Sequence, residues 1–359
     1  MRIAYIYQEG TNIKKSNIYQ ACSMVKGFSE FVKVDYYRGM HSIPSIDAEK
    51  GINQVKVINL GLNKNEKLSR IIFCLHTILY LFFKRPDKIL TRDFAFLYAY
   101  SKLPSFLRLN VPIIFEAHKV YHKVSDKVSL KQEMSAYSIV SKFIVVSNGI
   151  KHDLMKIFEF AGKNILVAPN GIDNYKFEEI QSAQENNKKN FIYAGSYGEW
   201  KGVDVILEAS NLLENFKGHI YLVGIEEHLP NYNSEVITVL PPMEKPALYK
   251  FYQKMDVGIV PTLNHLEGTL YTSPIKFFEY AYADLVILAS DIPSIRELEN
   301  LKFEIHFFDV GSPISLAKNL EAISNSNIDK KSTDDNKELV LQYTWNKRAE
   351  TILNFINSN

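Results

Sequence analysis

Only two cysteines, Cys22 and Cys74, stand among 359 residues. So few argue against a disulfide framework and fit a reducing compartment, and neither has the spacing of a metal ligand. Both are expected to pack in a core. No G-x-G-x-x-G follows a strand and no G-x-x-x-x-G-K-[ST] occurs at all, so dinucleotide dehydrogenases and P-loop NTPases are poor fits. Long apolar runs are also missing. The longest, Ile71 to Phe83, is 13 residues and contains His76 and Thr77, too short to span a bilayer. The opening Arg2-Ile3-Ala4-Tyr5-Ile6-Tyr7 has no secretory h-region, and no export is expected; a cytoplasmic protein is the expectation.

What is present is ordinary for a globular chain: 46% apolar and 23% charged residues, with length enough for two full cores. The net charge of +2 hides an asymmetry. Residues 1–170 carry 25 Lys and Arg against 13 Asp and Glu, while the remainder carries 17 against 27. A basic half beside an acidic half points to an anionic partner for the first: a membrane surface, a lipid-linked phosphate or a nucleic acid. No nucleic-acid motif accompanies the charge, and that partner is not expected.

Strand and helix patterns alternate throughout. Strands are expected at 1–8, 32–37, 54–60, 88–92, 111–116 and 143–147, and 165–173 as a short strand ending in an Asn-Gly turn, with helices at 18–31, 69–83 and 94–103 between them. The same alternation resumes at Phe191. This predicts an α/β chain of two Rossmann-like doubly wound domains: an N-terminal domain 1–170, a C-terminal domain 171–340, and a closing helix 341–359 that returns to the first. Ligands of such sheets bind beyond the carboxyl ends of the strands, which sets Gly10, Arg92, His118 and Ser147 along one rim. The apolar helix ending in Lys84-Arg85 reads best as a core helix whose cations complement its dipole, with membrane contact left to the wider basic surface.

Three features of the second half carry chemistry together. Gly195-Ser196-Tyr197-Gly198-Glu199-Trp200-Lys201-Gly202 is a glycine-containing loop after a strand, where close backbone approach and Lys201 suit a diphosphate. Ser273 as N-cap and Pro274 as the first helical residue predict a helix start whose N–H groups favour an anion. Glu279, one turn further in, supplies a carboxylate for sugar hydroxyls. A phosphate cradle followed by a hydroxyl acceptor suggests a nucleotide sugar.

The segments IIFEAH (113–118), ILVAPNGID (165–173), YAGSYGEWKGVD (193–204), MDVGIVP (255–261), SPIKFFEYAYADLVILASDIPSIREL (273–298) and YTWNKRAE (343–350) resemble those of the retaining nucleotide-sugar glycosyltransferases of glycosyltransferase family 4. That family has two Rossmann-like domains facing each other across a cleft, the GT-B architecture. The resemblance implies that Glu279 binds the donor ribose and that Lys201 holds the diphosphate with the backbone of Thr272, Ser273, Pro274 and Ile275. It also implies that His118 contacts the donor sugar and that Gly10 admits the phosphate. No metal and no cofactor is expected beyond the donor, a uridine diphosphate sugar by resemblance. A glycan or lipid-linked acceptor is expected, as in capsule and other bacterial surface polysaccharides, with peripheral contact to an anionic membrane.

The chain departs from the family pattern twice. The first of two glutamates usually spaced eight apart falls at Tyr271, and Glu267, twelve before Glu279, either takes that role through an insertion or is a surface residue. Ser196 stands where an arginine is common. Two other readings stay open: a nucleotide-sugar epimerase of the same architecture, and a non-catalytic nucleotide-sugar-binding partner.

Overall fold

The computed structural model describes residues 1–8, 16–39, 52–56, 66–175, 188–226, 229–328 and 330–358. The chain divides into two compact units, Met1–Asn170 together with Trp345–Asn359, and Gly171–Thr344.

The first unit contains β1 (Arg2–Ile6), β2 (Lys33–Arg38), β3 (Ile52–Lys56), β4 (Lys88–Thr91), β5 (Ile113–Ala117), β6 (Lys142–Val145) and β7 (Ile165–Val167). They form one parallel sheet in the order β3-β2-β1-β4-β5-β6-β7. Strands covered by helices on both faces read as continuous apolar runs rather than alternating ones, and Ile3, Ala4, Tyr5 and Ile6 are all fully buried. Cys22 and Cys74 are free and buried. The third strand begins two residues earlier than its apolar pattern indicates, at Ile52, and residues 57–60 of the expected strand lie outside the described residues. Helix Trp345–Asn357 packs against helix Ser16–Ser29. Trp345, Ala349, Ile352, Leu353 and Ile356 are buried at the three- and four-residue spacing of one helical face.

One expectation fails here. Helix Glu66–Lys84 is not a core helix. It buries Phe73, Cys74, Thr77 and Leu81 but leaves Leu68, Ile71, Leu75, Leu79, Tyr80 and Phe83 exposed. Its polar residues Arg70, Thr77 and Lys84 share one side and Leu68, Ile71, Leu75 and Leu79 the other, yet it is this apolar stripe, the side a core helix would bury, that meets solvent.

The second unit contains β8 (Lys189–Ala194), β9 (Gly218–Val223), β10 (Ile237–Leu240), β11 (Val257–Val260), β12 (Val286–Ser290) and β13 (His306–Phe308). Their order is β10-β9-β8-β11-β12-β13, again all parallel. In both sheets the first strand of the unit lies beside the fourth, where the winding direction reverses. That reversal opens a crevice at the carboxyl ends of β1 and β4 in one unit and of β8 and β11 in the other.

Helix Ile275–Tyr282 lies on the second sheet and buries Phe277, Phe278 and Tyr280 completely, each burial worth about 1.5–3 kcal/mol. Gly258 in β11 makes this contact possible, because a Cβ there would stand 2.3 Å from the Tyr280 ring. The Tyr280 hydroxyl accepts the Ala194 N–H at 2.9 Å, tying the helix to the end of β8.

Candidate functional site

The crevice of the second unit is walled by the loops that leave β8 and β11. Gly202 has φ +72°, and a Cβ on it would lie 1.7 Å from the Pro261 carbonyl oxygen. The two loops are further joined by the Leu263 N–H donating to the Trp200 carbonyl at 3.0 Å. Gly195, at the loop's start, donates to the Val223 carbonyl at 2.9 Å, and exposed Ser196 offers its carbonyl to the Tyr193 hydroxyl at 2.9 Å. Gly202→Ala is therefore expected to lower stability by about 2–4 kcal/mol, from left-handed strain plus forced separation of the two loops. A urea melt checks this, and a shift under 1 kcal/mol (roughly the size of a mild surface change) would refute it.

Lys201 is held half-buried in this loop with its ammonium 3.9 Å from the centre of the Trp200 ring. Burial and then the neighbouring Lys276 lower its pKa. Among the described residues it has no carboxylate partner. A desolvated ammonium repelled by a second one is a charge arranged for an anion that comes from outside.

Glu279 occupies the centre of a second cluster. It is fully buried, and its Oε1 accepts from Lys245 while Oε2 accepts from Lys276 at 2.8 Å and from the Tyr252 hydroxyl at 3.0 Å. Burial alone would raise its pKa, but Lys276 and Lys245 outweigh it and hold the carboxyl at about 2. Lys276 also donates to the Tyr252 hydroxyl at 3.0 Å. Glu279 thus faces lysines first, with three of its four lone-pair directions taken by Lys245, Lys276 and Tyr252. Lys245 was not legible in the sequence: it opens helix Lys245–Tyr252, 34 residues before its partner, and looks like any surface lysine.

The helix start differs from its expected form. Pro274, not Ser273, is the N-cap, the helix begins at Ile275, and no side chain caps it. The Pro274 ψ of 108° is extended, so the proline sits one position before the first helical residue that its fixed φ suits. Ser273 is buried just outside, and Thr272, Pro274 and Ile275 are half-buried. Glu267 lies half-buried on the short helix Leu266–Leu270, whose C-cap is the buried Tyr271; the Tyr271 N–H donates to the Glu267 carbonyl at 3.2 Å.

In the first unit Gly10 lies outside the described residues. Arg92 and His118 sit at the ends of β4 and β5 and share a buried network. Glu116, itself buried, takes the Arg348 guanidinium at 3.0 Å, the Tyr5 hydroxyl at 3.2 Å and the His118 ring at 3.0 Å. Arg348 also donates to the Ala168 and Pro169 carbonyls. Arg348 and Arg92 are among the charges that hold the Glu116 carboxyl well below its usual range against the effect of burial. A carboxylate can only accept, so His118 Nε2 donates to it and Nδ1 becomes the acceptor of the ring. Burial, then Arg92, lower the His118 pKa to about 4 against the pull of Glu116. The turn after His118 is fixed by buried Glu133, which accepts the Tyr121 and His122 N–H groups at 2.9 and 3.0 Å. Ser147, placed on the same rim by sequence, instead caps helix Asn148–Phe158 by accepting the Ile150 N–H.

The depressed His118 pKa fixes the sign of a pH effect. Below about 6.5 the unfolded chain takes up a proton that folded His118 refuses. Its contribution is complete above that pH and is lost as pH falls toward 4. The urea midpoint is expected to drop across this window, less steeply in His118→Gln; parallel curves for the two proteins would refute the assignment.

A family model for "Glycosyltransferase Family 4" matches residues 32–175, and one for "Glycosyl transferases group 1" matches residues 188–326. No curated protein sequence matches the chain. Solved structures do. A glycosyltransferase from Rickettsia africae has a TM-score of 0.70 at 14% identity, covering 100% of this chain and 99% of its own. HepE from Anabaena, in complex with UDP and glucose, has a TM-score of 0.72 at 12% identity, with 100% of both chains covered. Sucrose-phosphate synthase from Thermosynechococcus elongatus has a TM-score of 0.73 at 14% identity, covering 99% of this chain and 98% of its own. These likenesses fix the fold as GT-B. The two family models follow one another along the chain and together take in more than three quarters of it, so the protein belongs to the group 1 glycosyltransferases, with the Family 4 domain over its first half.

Proposed function

We propose that the protein transfers a sugar from a nucleoside diphosphate sugar to a glycan or lipid-linked acceptor, with retention of anomeric configuration and without a metal. The observation that carries this is Lys201, half-buried at the crevice between β8 and β11 without a carboxylate partner among the described residues. In the transfer, the bond from sugar C1 to the diphosphate oxygen breaks and a bond from C1 to the acceptor oxygen forms on the same face. The acceptor proton passes to the departing phosphate. The protein positions the partners and neutralises the charge growing on that phosphate. Lys201 serves the diphosphate, with the backbone from Thr272 to Ile275 beside it. Glu279 organises Lys245 and Lys276 and is the proposed acceptor for a ribose hydroxyl, which it reaches in place of one of those lysines. His118, neutral, presents Nδ1 as an acceptor for a sugar hydroxyl. Glu267 is the candidate for the role of the missing first glutamate.

A uridine diphosphate sugar is the proposed donor, since HepE has been solved with UDP and glucose, and surface polysaccharide assembly the proposed setting. Donor hydrolysis screened against a panel of nucleotide sugars, with and without EDTA, is the test. Turnover of one uridine diphosphate sugar, unchanged by EDTA and giving a product whose anomeric configuration matches the donor, supports the reading. A 2-epimer of the donor as the product, or a strict need for metal, overturns it.

A further inference from the structure

Helix Glu66–Lys84 leaves six large apolar side chains exposed among the described residues. Leu68, Ile71, Leu75, Leu79 and Phe83 follow the three- and four-residue spacing of one side, and Leu75, Leu79 and Phe83 are 64%, 54% and 77% exposed. Apolar residues scattered singly over a surface are normal, whereas a contiguous row of them marks a site of contact. The opposite side, with Phe73, Thr77 and Leu81, already packs on the domain, so the exposed row is not spare core. No described helix is long and apolar enough to cross a membrane. Cations bracket the row: Lys67 and Arg70 in the opening turns, Lys84 and Arg85 at the end. No acidic residue lies between Glu66 and Asp87, and the first 170 residues carry 25 basic against 13 acidic side chains.

We propose that this helix lies in the surface of an anionic lipid bilayer, with its leucines and Phe83 in the acyl boundary and its terminal cations among the headgroups. Apolar insertion and attraction to anionic lipid each contribute to such binding. A second copy of the chain fits the same face poorly, because a two-fold pairing would bring the bracketing cations together without acidic partners between them. The proposal deepens the lipid-linked acceptor reading, since a bilayer-bound enzyme meets such an acceptor where it resides. Its deciding readout is vesicle binding and not turnover, so the two readings fail separately.

Flotation of the full chain with vesicles decides it. Binding to phosphatidylcholine vesicles containing phosphatidylglycerol, weakened by salt and by about tenfold in vesicles of phosphatidylcholine alone, is the expected result. The double variant Leu75→Gln with Leu79→Gln is expected to lower partitioning by about tenfold or more. Its thermal melt and its donor hydrolysis in vesicle-free buffer stay unchanged, because both positions are solvent-facing. Absence of binding, or equal binding by the variant, overturns the proposal. So does a wild-type dimer in vesicle-free buffer that the double variant converts to monomer, which assigns the face to a second copy.

Discussion

Arg348→Ala is expected to lower stability by about 3–5 kcal/mol, the usual cost of stranding one partner of a fully buried ion pair. The Arg348 and Glu116 side chains are 2% and 1% exposed. Without the guanidinium, Glu116 keeps only neutral donors and more distant Arg92, and the Ala168 and Pro169 carbonyls lose their shared donor. The second consequence is electrostatic. Removing one of two nearby cations lets the Glu116 and His118 pKa values both rise. A histidine titration followed by NMR is expected to move upward from about 4 in Arg348→Ala. Arg348→Lys should restore charge but not the fork that reaches two backbone carbonyls and a carboxylate together. A stability loss under 1 kcal/mol (roughly what a surface change costs) would show that water repairs the gap.

Lys201→Ala is expected to reduce kcat by about a hundred- to a thousandfold, the range for removing one preorganised charge donor from a transition state. Its effect on KM should be smaller, because the charge it meets grows as the sugar departs. Folding should be indifferent: among the described residues Lys201 has no carboxylate partner to strand and rests on Trp200, and a half-buried ammonium with a lowered pKa is a cost to the fold. The variant is thus expected to melt at or slightly above the wild-type temperature. Equal loss in kcat and stability would mean that Lys201 supports the loop instead of the reaction. Lys201→Arg separates charge from shape, since the guanidinium keeps the first and exceeds the second.

The two parallel sheets were legible because strands buried on both faces leave continuous apolar runs, as Ile3 to Ile6 and Val286 to Ala289 do. The loop with Lys201 and the helix carrying Glu279 were legible because glycine, proline and charge gather at strand ends. Pairs distant in sequence were not. Lys245 and Glu279 are 34 residues apart, and Arg348 and Glu116 are 232 apart; no local pattern announces either. The helix start slipped by one position because proline suits both the cap and the first turn. The exposed side of helix Glu66–Lys84 stayed hidden for the opposite reason: its apolar stripe through Leu68, Ile71, Leu75 and Leu79 is the pattern of a buried face, and here that face meets solvent.

The first unit is closed by a helix that follows the second unit in the chain, since Trp345–Asn357 supplies a face of its core and the arginine that holds Glu116. On the ribosome, the sheet of Gly171–Thr344 has all its strands before that helix emerges. The domain begun first is therefore finished last, and until that helix has been made Glu116 lacks its counter-ion. A chain truncated after Thr344 should keep a protease-resistant second unit beside a first unit that is cleaved.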